Sequence, residues 1–198
     1  MIQKKLSALL LTLVLCLGLS VPALAAGPYT DVPPDYWAYD AIMRVSDDSK
    51  WPATFNGTSA TDFSPNAPMD RAMIVTVLAR LDGADTTTGD TWYEAGAQWA
   101  VASGISDGSG LSQSLTREQL ATMLYRYAQL RGYDVSIGAD TNILSYADAF
   151  HVSEYAMEAM QWACGAGIIG GKDGLLDPSG SATRAEVATM LLRFVSAL

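Results

Sequence analysis

The pattern Arg-x-x-[Ile/Leu/Val]-x-Thr-x-Leu-x-Arg recurs three times, at Arg71 to Arg80, Arg117 to Arg126 and Arg184 to Arg193. A short unit repeated in this way cannot bury its apolar face alone, so the copies must pack on one another. Each copy carries the stripe of a core-facing helix at i, i+3, i+4 and i+7. The stripes are Ile74, Val77, Leu78 and Leu81; Leu120, Met123, Leu124 and Tyr127; and Val187, Met190, Leu191 and Phe194. Copies two and three open on capping boxes, Thr116 with Gln119 and Thr183 with Glu186, in which side chain and backbone at the helix start satisfy each other. Copy one has Asp70 as cap but Met73 in place of the Gln or Glu, so its start is less fully closed. Gly83 and Gly132 are the expected stops of the first two helices.

A shorter helix precedes each Arg-led one. Its small apolar face reads Ala38, Ala41, Ile42, Val45 in copy one, Tyr93, Gly96, Ala97, Ala100 in copy two, and Ala156, Ala159, Met160, Ala163 in copy three. Trp37, Trp92 and Tyr155 open these helices. Small residues on such a face predict close helix approach. Turn-rich connectors follow, and Pro65 and Pro178 each stand six residues before a helix Arg. Residues 134–145 show no helical stripe and read as a linker. The lead arginines are 46 and then 67 residues apart, too irregular for an open solenoid. Closure of three two-helix units around a shared axis is expected, with the Arg-led helices central. The fold class is all-α.

Whole-chain properties narrow the function. Lys4 and Lys5, the apolar run Leu6 to Leu19 and Ala23-Leu24-Ala25 read as a secretory signal peptide spanning residues 1–25. The apolar run is shorter than the roughly 20 residues a membrane span needs, so no membrane association is expected after cleavage. The whole chain carries −9, and loss of two lysines with the leader makes the exported protein more acidic still. Nucleic acid and anionic lipid, which need a basic face, are excluded as partners. A local anion site remains compatible with this charge, because distant charges are screened over about 8–10 Å.

At the repeated segments the chain resembles the S-layer homology (SLH) family. Copy three carries the family's motifs most fully, as Tyr146-Ala147-Asp148, Trp162-Ala163, Gly167-Ile168-Ile169-Gly170 and Thr183-Arg184-Ala185-Glu186. Copy two keeps Trp99-Ala100, Gly104-Ile105 and Thr116-Arg117-Glu118-Gln119. Copy one keeps Tyr29-Thr30-Asp31-Val32 and Asp70-Arg71-Ala72, without the Glu or the Gly-Ile turn. The resemblance divides the chain into repeats at 26–83, 84–133 and 146–198, the linker at 134–145 lying between the second and third. It implies a pseudo-threefold arrangement of repeats, export to the cell surface or S-layer, and non-covalent attachment to the cell wall. The implied partner is secondary cell wall polysaccharide, often bearing pyruvyl ketals, bound in grooves between repeats. Carried over, the motif arginines Arg71, Arg117 and Arg184 are the expected ligand-binding residues, joined by Asp31, Asp148, Gly104, Gly167 and Gly170.

The chemistry of the arginines suits that role. A guanidinium matches a pyruvyl carboxylate with two parallel charge-assisted hydrogen bonds. At a helix start, unpaired backbone N–H groups and the helix dipole add to the attraction. The groove relying on Arg71 is expected to be the weakest, because copy one departs furthest from the pattern. Structural readings are preferred elsewhere. Arg80, Arg126 and Arg193 lie in last turns, where a cation caps carbonyls. Thr76, Thr122 and Thr189 are expected to pack or back-bond, and the aromatics to belong to the core. Cys164 reads as a small core residue. The loop from Asp173 to Asp177 lacks the alternating oxygen ligands of a calcium site, so no metal or cofactor is expected. His151, the single histidine, reads as an exposed turn residue, and no catalytic device is expected. The competing readings are a cell-surface wall hydrolase and a scaffold that recruits another protein.

Overall fold

The computed structural model describes residues 27–47, 54–138 and 141–197. The expected signal peptide, and Trp51 and Pro52 of the first connector, lie outside them. Six α-helices and three short 3-10 turns carry the fold among the described residues, with isolated bridges and no strand. The helices are α1 (Tyr39–Val45), α2 (Arg71–Leu81), α3 (Glu94–Ala102), α4 (Arg117–Leu130), α5 (Met157–Gly165) and α6 (Arg184–Ser196). All three Arg-led helices begin at the lead arginine. The capping boxes at Thr116 and Thr183 form in full, and Asp70 accepts from Met73 N–H alone. Gly83 and Gly132 follow the ends of α2 and α4 in the left-handed region, at φ 81° and 73°.

Each Arg-led helix packs chiefly on the short helix of the next copy: α2 on α3, α4 on α5, and α6 back on α1. The last helix thereby closes against the first. Their common core holds Ile42, Ile74, Leu78, Leu120, Leu124, Met160, Val187 and Leu191, all buried. Phe194 joins it to Tyr127 and Trp162 by ring contacts at 5.9 and 6.1 Å. The linker contributes too, since Ile143 begins a 3-10 turn and is buried.

The small faces do allow the close approach expected of them. A Cβ on Gly96 would stand 2.8 Å from Thr76 Cα and 2.9 Å from its Oγ1, so α3 rides directly on the α2 backbone. Gly96→Ala is therefore expected to destabilise the protein by about 1–3 kcal/mol, the usual effect of overpacking. Alanine is otherwise the better helix former by about 1 kcal/mol, and an unchanged or raised melting temperature would show that α3 can move off at no loss.

The starts of the Arg-led helices meet in a closed ring of backbone hydrogen bonds. Met69 N–H donates to Ala182 C=O, Ala182 N–H to Leu115 C=O, and Leu115 N–H to Met69 C=O, at 2.8–3.0 Å. Each of these residues stands two positions before a lead arginine. The N–H groups of the first two helical residues are also taken. Arg71 and Ala72 donate to Gln113 and Leu111, Arg117 and Glu118 to Gly180 and Pro178, and Arg184 and Ala185 to Ala67 and Pro65. The prolines noticed in the connectors thus offer a carbonyl where no N–H is required.

Candidate functional site

The ring of helix starts overturns one expectation: with their leading N–H groups bonded to carbonyls of a neighbouring connector, these starts offer no backbone anion site. Two of the lead arginines, expected to bind ligand, are instead occupied within the fold. Arg117 and Arg184 are only 3 % and 4 % exposed. Arg117 donates through Nε to Leu176 C=O at 2.8 Å and through Nη2 to Gly170 C=O at 2.9 Å. Arg184 makes the equivalent bonds to Phe63 C=O and Asn56 C=O, both at 2.8 Å. Its guanidinium lies 4.8 and 4.6 Å from the ring centres of Phe55 and Phe63, within cation–π range. Burial pulls the Arg184 pKa down, while Tyr29, Asp31 and Asp70 push it back up.

Three surface grooves flank these arginines. The Arg117 groove, of about 500 Å³, includes Gly170, Lys172, Thr189, Arg193 and Trp37. The Arg71 groove, of about 330 Å³, includes Ser106, Asp107, Thr122, Arg126 and Tyr155. The Arg184 groove, of about 440 Å³, includes Asn56, Thr76, Arg80 and Trp92. Every groove takes its lead arginine from one copy, its turn and second arginine from the next, and its aromatic from the third.

The second arginines therefore have a different place from the one expected. Arg126 and Arg193 are exposed and Arg80 half-buried, and all three present cationic side chains to the grooves. Arg126 keeps one structural tie, from Nη1 to Ile105 C=O at 3.1 Å, and Arg80 donates through Nε to Thr86 Oγ1 at 3.0 Å. The opening aromatics are also displaced from the expected core. Trp37, Trp92 and Tyr155 are 62, 54 and 56 % exposed, whereas Trp162 is buried. Burial and the neighbouring Glu118 carboxylate push the Tyr155 hydroxyl up to about 12, so it stays a neutral donor at physiological pH. Thr76, Thr122 and Thr189 back-bond to the carbonyls of Ala72, Glu118 and Ala185 at 2.8–2.9 Å, as expected of threonine inside a helix.

Of the remaining expected site residues, only Gly170 lines a groove. Asp31 and Asp148 are loop clamps. Asp31 accepts from Phe63 and Ser64 N–H, and Asp148 from Leu176 and Asp177 N–H. Desolvation pushes the Asp148 carboxyl up, but the two N–H donors pull it below the usual range. What the clamps hold is a backbone reversal, since Ser64 and Asp177 sit at φ 56° and 50°, a region that costs non-glycine residues energy. Copy two has Gly110 at the same position, at φ 59°, and the nearby Asp107 carboxylate accepts from Ser109 N–H instead. Gly104 and Gly167 follow α3 and α5 at φ 73° and 71°. They close helix ends rather than line grooves. The Asp173-Gly174 turn, with both residues at positive φ, closes a tight Lys172–Leu175 hairpin.

A cationic side chain, an exposed aromatic face and hydroxyl groups are the ingredients for binding an anionic sugar. Guanidinium supplies charge, and the ring supplies apolar area to a sugar face. Among the described residues no helix is long and apolar enough to cross a membrane.

Residues 145–188 match the S-layer homology domain. Over 206 aligned residues the chain is 26 % identical to an endoglucanase of Bacillus sp. (strain KSM-635), covering 93 % of this chain and 21 % of that protein. It is 29 % identical over 174 residues to an amylopullulanase of Thermoanaerobacterium thermosulfurigenes, covering 79 % of this chain and 9 % of the enzyme. A surface-layer 125 kDa protein of Lysinibacillus sphaericus is 33 % identical over 91 residues, which cover 41 % of this chain and 7 % of that protein. The chain thus spans about a fifth or less of these relatives. A shared S-layer homology segment is a binding module associated with the cell wall, and such partial matches lend the chain no catalytic activity.

Proposed function

We propose that residues 26–198 form three S-layer homology repeats, at 26–83, 84–133 and 146–198, closed about a pseudo-threefold axis. They hold the exported protein on the cell wall by binding secondary cell wall polysaccharide in the three grooves. The observation that carries this reading is the groove composition: lead arginine, second arginine and exposed aromatic recur three times, each from a different copy. The closed ring at the helix starts supports the arrangement, and the 145–188 match supports the boundary of the third repeat. Arg80, Arg126 and Arg193 supply the groove charge. Arg71, Arg117 and Arg184 shape the groove floor and offer their outer N–H edges. Gly170 holds Arg117 through its carbonyl at the groove wall, while Asp31, Asp148, Gly104 and Gly167 set the loops without touching polymer.

The ligand class is a sugar polymer bearing carboxylates such as pyruvyl ketals. Protein incubated with isolated walls is expected to sediment with them, and to lose at least tenfold in apparent affinity on walls stripped of pyruvate. That loss corresponds to about 1.4 kcal/mol, the low end for hydrogen bonds to charged groups. Equal retention on stripped walls would remove the ketal carboxylate from the account. Soluble sugar fragments accumulating during incubation would favour the hydrolase instead.

A further inference from the structure

The three lead arginines are equivalent in sequence but not in how their guanidinium groups are satisfied. Arg117 and Arg184 each rest on two main-chain carbonyls, the one on Nε from a buried connector residue, Leu176 or Phe63, and the one on Nη2 from an exposed turn residue, Gly170 or Asn56. Arg71 has neither. Its Nη2 donates to the carboxylate of Asp107 at 2.9 Å and to Ser106 Oγ at 3.4 Å, and its Nε is buried with no acceptor. Connector length explains the difference. From the buried residue of the turn to the next lead arginine there are sixteen residues in copy one (Phe55 to Arg71) and fifteen in copy three (Ile169 to Arg184). Copy two has only eleven, from the matching Ser106 to Arg117. The short connector brings no carbonyl to either nitrogen; the exposed Asp107 side chain meets Nη2, and Nε is left without an acceptor.

Asp107 is well suited to stay there. Its carboxylate accepts from Ser109 N–H and Oγ, all at 2.9 Å. These bonds, more than the Arg71 charge, hold its carboxyl below the usual range, so it remains ionised. Yet it is exposed and bonded to Arg71 through a single oxygen.

We propose that Asp107 is an intramolecular counter-ion gating the Arg71 groove: it occupies the seat of a ligand carboxylate, which must displace it to bind. This inference rests on the reading of the grooves as anion sites. An incoming carboxylate that moves Asp107 aside can reach both Nη2 and Nε side-on, the paired geometry a guanidinium favours. The groove is thus weak in the parent protein and strengthened by removal of one charge. Its weakness originates in the connector of copy two rather than in the divergence of copy one.

The test compares the full chain with Asp107→Asn, which keeps an acceptor for Ser109 but loses the charge. The probe is a methyl hexoside bearing a pyruvyl ketal, titrated while the Arg71 Nε–H signal is followed by NMR and assigned by its loss in Arg71→Lys. Asp107→Asn is expected to bind the probe three- to tenfold more tightly at Arg71, with Arg193 signals responding as in the parent. Equal or weaker response at Arg71 in the variant, or none in either protein, overturns the gate. Sedimentation with native walls is measured in parallel. A gate that opens to the probe in a protein that ignores walls would refute the anchoring function while leaving the gate standing.

Discussion

Replacing Arg184 with methionine is expected to destabilise the fold by about 3–5 kcal/mol. The buried Phe63 C=O loses its donor, and an unmet buried acceptor costs about 1–3 kcal/mol. The part-buried Asn56 C=O, which water can reach, adds an ordinary hydrogen bond of about 1 kcal/mol. The guanidinium stacked on Phe55 and Phe63 adds about 0.5–2 kcal/mol. Methionine refills part of the volume, which keeps the total below the simple sum. Against a typical domain stability of about 5–15 kcal/mol, this is a large share. With a urea m-value of about 1–3 kcal/mol/M, the midpoint should fall by roughly 2 M. Arg193→Gln, at an exposed position, should remain within about 0.5 kcal/mol of the parent. A midpoint shift for Arg184→Met no larger than that of Arg193→Gln would mean that the buried Phe63 carbonyl finds another donor. It would also return Arg184 to the role of an ordinary ligand-binding side chain. Wall retention by Arg184→Met should decline with the folded fraction, and within the folded protein by no more than the one groove that its outer N–H edge serves.

That contrast separates what local sequence reveals from what only packing decides. The helices, their starts at the three lead arginines and the capping boxes depend on neighbours within a few residues, and all were readable from spacing. The all-α class followed. Burial of the lead arginines was not readable, because their acceptors lie 53 to 128 residues away in the chain. The exposure of Trp37, Trp92 and Tyr155 depended on the same unknown. An opening aromatic reads as core if its helix packs within its own unit, but each short helix instead lies on the preceding Arg-led helix. Its aromatic is left at the edge of a groove built by the other two copies.

One available signal was missed. Nine residues at 3.6 per turn make two and a half turns, so the two arginines of the motif must point to opposite sides of their helix. Each Arg-led helix therefore serves two grooves, giving its first arginine to one and its second to the next. Arg71 and Arg80, Arg117 and Arg126, and Arg184 and Arg193 are divided in this manner. The half-turn offset, read with closure around an axis, pointed to the second arginines as well as the first.

The triple variant Arg80→Gln, Arg126→Gln, Arg193→Gln is accordingly expected to stay folded and lose the wall. Its structural losses are two hydrogen bonds, Arg80 to Thr86 and Arg126 to Ile105, worth about 1 kcal/mol each. Each groove forfeits a charge-assisted contact of roughly 1.5–3 kcal/mol, or about ten- to a hundredfold in affinity. Because one polymer chain can engage several grooves, the losses multiply, and the triple variant should fall by at least about a thousandfold. Single variants should fall far less, as the intact grooves keep the polymer at high local concentration. Parent-like helicity by circular dichroism, with a melting temperature within a few degrees, establishes that the fold is retained. If the folded triple variant sediments with native walls as tightly as the parent, charge in the grooves is not what holds this protein, and binding must lie on a surface these arginines do not reach.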